Sequence, residues 1–132
     1  PPGASAEIKR VVDREMTVAH YHDHMPEVFG TPFMIYLMEV AAADAIQPYL
    51  PEGWVSVGVV VNVKHLAATP VGDTVIARAR VTAVTENTVS FEVEAYDSYE
   101  KIGEGTHVRA PINLERFSKR VSIKSKRDVG AD

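Results

Sequence analysis

Residues Gly30–Leu50 read GTPFMIYLMEVAAADAIQPYL, and the rest of the chain is best understood outward from this stretch. Thr31 followed by Pro32 is a helix start, because a threonine oxygen can satisfy an orphan amide at the N-cap and proline fits the first helical position without losing a needed donor. Pro48 and the Pro51-Glu52-Gly53 cluster stop it. Between these signals the only charged residues are Glu39 and, five positions on, Asp44. A carboxylate among Phe33, Met34, Ile35, Leu37, Met38, Val40 and three alanines loses hydration when the helix packs, so in its ionised form it needs a partner or a raised pKa. Such carboxylates are candidates for catalysis. Taken alone, Glu39 reads equally as an interface group bonded to a backbone amide.

After the helix, β-branched residues dominate. VSVGVVVNVKHLA (55–67), DTVIARARVTAV (73–84), NTVSFEVEAYDSY (87–99) and KIGEGTHVRAPINL (101–114) are separated by turn-rich breaks at Pro70 to Asp73, Glu86-Asn87 and Glu100-Lys101. Val75, Ala77, Ala79 and Val81 alternate with Ile76, Arg78, Arg80 and Thr82, while Val89, Phe91, Val93 and Ala95 alternate with Ser90, Glu92, Glu94 and Tyr96. Each strand therefore has one face to bury and one to wet, as in an antiparallel sheet covered on a single side. One apolar helix and one such sheet predict an α+β domain in which the sheet wraps the helix.

Residues 1–15 are mixed and polar. Met16 to Asp23 alternates, with Thr17, Ala19 and Tyr21 against Val18, His20 and His22, and reads as a short extended segment. On such a strand His20, His22 and His24 would share one face and could hold a metal, but no further ligand with suitable spacing completes a site, so these histidines read as solvated or as part of a lid and no metal is expected.

At 132 residues the chain fits a single domain, 1–132, with enough apolar residues for a core. It has no cysteine, which removes disulfides and thiol chemistry and fits a cytoplasmic location. The longest apolar run is interrupted by Glu39 and Asp44, and no stretch has the layout of a signal peptide, so neither a membrane span nor export is expected. A net charge of −4 argues against nucleic acid as a partner. The exception to that acidity is the end of the chain, where Arg116, Lys119, Arg120, Lys124, Lys126 and Arg127 hold six of fourteen basic residues. From about residue 119 it reads either as a solvated, frayed tail or as a site for phosphate groups.

His65 falls at the end of the first long strand, with Thr69, Pro70, Gly72 and Asp73 forming the turn that follows. A strand-end imidazole can face a cleft and serve as general base near neutral pH, or it can simply cap the turn.

Three segments in order, VFGTPFMIYLMEVA (28–41), HLAATPVGDTV (65–75) and IGEGTHVRAPINLERF (102–117), resemble the hotdog-fold acyl-CoA thioesterases, and among them the fluoroacetyl-CoA thioesterase group. The likeness runs from about Pro26 to Lys119. It implies hydrolysis of a small acyl-CoA thioester by a homodimer with active sites at the subunit interface, and no cofactor. By motif it carries a catalytic threonine, glutamate and histidine onto Thr31, Glu39 and His65, and positions near substrate onto Gly58 and Arg109. Read without the resemblance, Gly58 could mark a bulge and Arg109 a structural ion pair. The chain departs from the group at Met25, before the Pro-Glu-Val-Phe sequence, where the fluoroacetyl-specific enzyme has phenylalanine. A hotdog hydratase would show an Asp and His pair on one loop-helix segment, which this chain lacks; a non-catalytic acyl-CoA-binding protein would use the same groove.

On one regular helix, Thr31 and Glu39 are separated by about 12 Å of rise and roughly 80° of rotation. Their side chains then cannot meet. Either the chain at Thr31 leaves the helix and folds back, or groups from two subunits converge.

Overall fold

The computed structural model describes residues 2–130, with side chains through residue 126. Strand β1 (Ser5–Val11) leads through two short helical turns, Arg14–Met16 and α1 (Val18–Tyr21), into the long helix α2 (Thr31–Ile46). Strands β2 (Trp54–His65), β3 (Thr74–Val84), β4 (Val89–Tyr96) and β5 (Lys101–Asn113) follow, then a terminal helix α3 (Leu114–Gly130). The strands form one sheet in the order β1-β3-β4-β5-β2, and every neighbouring pair is antiparallel. Helix α2 lies in its concave face. This is the α+β arrangement, a sheet wrapped around one helix, that the patterning predicts.

The packing follows from small residues on both partners. Helix α2 buries Met34, Leu37, Met38, Ala41, Ala42, Ala45 and Ile46. Beneath it lie Val75, Ala77, Ala79 and Val81 of β3, Phe91, Val93 and Ala95 of β4, and Ile102 of β5, all in one apolar cluster. Alanines on helix and sheet let the two backbones approach closely, and the longer methionines fill the space that remains. On β3 and β4 the buried face is the one that alternation assigns.

Three local expectations are corrected. The polar N-terminus supplies a strand: Ala6 and Ile8 turn toward the core while Glu7 reaches Arg78 of β3 at 2.8 Å, so two half-buried residues and pairing to a neighbour suffice where periodicity is faint. Met16 to Asp23 is not extended; only Thr17 makes a bridge, to Phe29, and His20 lies in α1, His22 ends it, and His24 has φ 69°. These three histidines therefore share no strand face. Thr31 does not cap α2: the N-cap is Gly30, and the threonine hydroxyl is used elsewhere. The basic terminus is helical and its side chains are solvent-exposed as far as they are described, and the side chain of Arg127 lies outside the described residues.

Two glycines of β5 face different obstacles. A Cβ on Gly105 would run into the Asn62 carbonyl oxygen and Val63 Cα of β2, which are backbone atoms; one on Gly103 would meet the sulfur and methyl of Met34 and the methyl of Met38. Flexible thioethers can turn aside and paired strands cannot. Overpacking costs about 1–3 kcal/mol, so Gly105→Ala should fall at or beyond the upper end and Gly103→Ala near the lower. Urea unfolding of both variants checks the order, and an equal loss for the two would contradict it.

Candidate active site

The concave face of β5 changes character along its length. Gly103 meets Met34 and Met38 of the apolar helix, whereas His107 and Arg109, four and six residues further on, are polar and also buried. A guanidinium that is only 7% exposed needs acceptors for its donors. It finds them on two neighbouring elements and its own strand. Nε donates to Ser56 Oγ and Nη2 to the Ser56 carbonyl, both at 2.8 Å, while Nη1 faces Glu39 Oε2 at 3.4 Å and His107 Nε2 at 3.3 Å. Burial pushes the Arg109 pKa down, and the Glu39 carboxylate opposes that shift.

Glu39 therefore has the partner its sequence setting demands, and Arg109 is more than a surface ion pair. Its carboxylate is less buried than the apolar helix suggests: the side chain is 37% exposed, because it emerges from α2 toward the edge strand β2. What lets it rest there is Gly58. A Cβ at that position would overlap Glu39 Oε2 and touch His107 Cε1 at 3.4 Å. The strand register also shifts between Gly58 and Val60, so the glycine both marks a bulge and leaves room for the carboxylate.

Thr31 and His65 meet at the other end of the same groove. Thr31 Oγ1 lies 2.7 Å from His65 Nδ1, joining the first residue of α2 to the last of β2. The other ring nitrogen, Nε2, is buried and has no hydrogen-bond partner among the described residues. Burial pushes the His65 pKa below its usual value, which favours the neutral imidazole that proton transfer requires. Val18, Val28, Phe29, Ala67 and Ala68 line a hollow of about 370 Å³ around this pair.

Helix α2 is regular from Thr31 onward, which removes the possibility that the chain folds back there. Among the described residues no hydrogen bond joins Thr31 or His65 to Glu39. Of the five residues the sequence singles out, the chain thus gathers two groups: Thr31 with His65, and Glu39 with Gly58 and Arg109. The amides at the start of α2 are also largely committed. Pro32 has none, and those of Phe33 and Met34 donate to the Gly30 carbonyl at 3.0 and 3.1 Å, so that of Thr31–Met34 only Thr31 N–H has no such bond among the described residues. His107 and Ser56 were not marked by sequence reasoning. The signal for His107 was there: two polar residues spaced by two, His107 and Arg109, on a strand face otherwise built of glycine and apolar residues.

The sequence model of the fluoroacetyl-CoA-specific thioesterase family matches residues 12–115. The chain belongs to this family. It is 42% identical over 121 residues to the fluoroacetyl-CoA thioesterase of Streptantibioticus cattleyicolor, with 87% of each chain covered. Among solved structures, a fluoroacetyl-CoA thioesterase superposes with a TM-score of 0.89 at 40% identity, covering 94% of this chain and 96% of that one. A hot-dog-like protein from Thermanaerovibrio acidaminovorans superposes at 0.85 with 28% identity, covering 94% and 92%. The fold is the hotdog fold. No helix among the described residues is long and apolar enough to cross a membrane.

Gly58 links fold and site most directly. Gly58→Ala is expected to keep the fold, since the atom in its way is the end of a flexible side chain, but to push the Glu39 carboxylate off β2. Displacement of a reacting group by about 1 Å can cost roughly 10²-fold. Turnover of acetyl-CoA with an unchanged melting temperature checks this, and normal turnover would separate the carboxylate's resting place from the chemistry.

Proposed function

We propose that the chain hydrolyses a small acyl-CoA thioester at a site completed by two copies of itself. In this reading Glu39 is the nucleophile or the base that aims water at the thioester carbonyl, and Arg109 orients that carboxylate. His65 transfers protons through Nε2. Thr31 holds the ring through Nδ1 and helps position the carbonyl, whose developing charge can also draw on the free Thr31 amide and the positive end of α2. Gly58 lies beside bound substrate.

The observation that carries the reading is the arrangement of polar groups along an unpaired strand. Strand β2 is at the sheet edge, and its run Val59, Val60 and Val61 is exposed and apolar. An apolar edge of that kind is a template for pairing with another chain. If two β2 strands pair antiparallel about a two-fold axis near Val61, His65 of one copy falls opposite Val57 of the other, beside Gly58 and the Glu39 that rests on it. The separation of the two groups within one protomer is then bridged by the second. Light scattering should report a homodimer, about twice the 14.5 kDa chain mass. The substrate is drawn from the cytoplasmic pool of acyl-CoA, and cell fractionation checks that location.

Glu39→Gln removes the charge at constant size and His65→Ala removes the proton carrier, so each should slow turnover by about 10²- to 10⁴-fold. The pair of variants also tests the shared site. In a mixed dimer of the two, one composite site carries both substitutions and the other carries neither. Refolding equal amounts together should therefore restore about a quarter of wild-type activity, because about half the dimers are mixed and each has one intact site. No recovery would place each site inside a single protomer.

The terminal helix bears on coenzyme A. Arg116, Arg120 and Lys124 recur every four residues and share a face of α3, with Arg116 over the Trp54 ring at 5.8 Å. We assign this stripe to the nucleotide phosphates of the substrate. Contacts of that sort are screened by salt and act on KM more than on kcat. Ending the chain after Ser118 should raise KM for acetyl-CoA and leave a short pantetheine thioester unaffected; an equal effect on both, or on neither, would remove the assignment.

A further inference from the structure

His107 is the most enclosed titratable group of the site, and the proposed chemistry does not use it. It is 2% exposed, under α2 and between β2 and β4. Three contacts fix the ring. The Phe91 side chain of β4 stacks against its face at 6.0 Å with 29° between planes. Nδ1 lies 2.7 Å from the Val60 carbonyl, at the place where β2 shifts register against β5. Nε2 lies 3.3 Å from Arg109 Nη1.

These contacts allow one protonation state. A carbonyl accepts only, so Nδ1 must carry the hydrogen; a guanidinium donates only, so Nε2 must offer its lone pair. The charged groups facing the ring are Arg109 on its own strand and Glu39 from α2; β2 presents the Val60 carbonyl and Gly58, and β4 presents Phe91, none of which titrates. A proton on Nε2 would set a second cation against Nη1 with nothing to accept it. Burial, reinforced by Arg109, holds the pKa of His107 below its ordinary value, although the Val60 carbonyl and Glu39 pull the other way.

We propose that His107 is a positioning residue for thioester hydrolysis: locked by Val60, it accepts from Arg109 Nη1 and so holds the one guanidinium edge that faces Glu39. Ser56 already occupies Nε and Nη2, so the direction of Nη1 is decided between Glu39 and His107. The same ring borders the space into which a Cβ at Gly58 would project, and so forms the wall behind the carboxylate. The proposal rests on the assignment of Glu39 to the chemistry.

The test compares two substitutions. An asparagine amide in His107→Asn reaches Val60 but not Arg109; a glutamine amide in His107→Gln spans both, donating to the carbonyl and accepting from the guanidinium. With acetyl-CoA, His107→Asn should lower kcat by about tenfold or more with KM within a few-fold, and His107→Gln should recover most of that loss. Neutral His65 and neutral His107 both support the wild-type rate, so log(kcat/KM) should fall at acid pH with a slope of about two, reduced to about one in His107→Gln. If His107 acts through Glu39, adding His107→Asn to Glu39→Gln should cause no further loss. Equal losses in both single variants that track a lowered melting temperature would make His107 a packing residue only. An additive loss in the double variant would overturn action through Glu39, and near-normal turnover of Glu39→Gln alone would overturn the underlying assignment.

Discussion

A buried guanidinium organises the polar half of this molecule. Arg109 lies on the floor of the groove between α2 and the sheet, where water cannot serve its donors, and removing a cation from water without acceptors costs several kcal/mol. Ser56 supplies two oxygens from the edge strand, Glu39 a carboxylate from the helix, and His107 a lone pair from the same strand. Two of these residues are accommodated in turn: Glu39 by a glycine opposite its carboxylate, and His107 by a carbonyl at a bulge that meets its imidazole. The network explains why an acid can sit amid the apolar residues of a helix. It also explains why its removal should leave the fold intact, since Arg109 keeps neutral acceptors when the carboxylate charge is gone.

The second polar pair is of a different kind. Thr31 and His65 tie the ends of two elements together at 2.7 Å, but the far nitrogen of the ring is buried with nothing to bond among the described residues. A polar atom in that condition is costly in a finished structure and useful in an unfinished one. Together with the exposed valines of β2, it fits the proposal of a site completed by a second chain. Both groups open onto the same edge strand, so one pairing event would satisfy the strand backbone, cover the valines and bring the two groups toward each other.

Much of the architecture was legible in the residues because it depends on repeating patterns. The alternation of β3 and β4 assigned every buried and every wet face correctly, and the apolar run from Phe33 to Ile46 assigned the helix they surround. Where patterns were short, reading by period failed. The segment from Met16 to Asp23 alternates and yet forms a turn of helix, because only its Thr17 finds a strand partner; Ser5–Val11 alternates weakly and yet is a strand, because β3 offers an edge and an arginine for Glu7.

The sequence by itself determined the identity of the polar groups: Glu39 amid the apolar residues of a helix, one imidazole at a strand end, a glycine and an arginine on two strands, and three ordered segments shared with the thioesterases. Those are matters of residue type and spacing along the chain. Which of them touch was decided by the tertiary structure alone. Glu39 meets Arg109 across seventy residues, Thr31 meets His65 across thirty-four, and His107 joins the first group only because β5 turns alternate side chains to one face and a bulge in β2 turns a carbonyl to meet its ring. Hydrogen bonds act over about 3 Å, and no periodicity along a chain fixes distances of that order between residues so far apart in sequence.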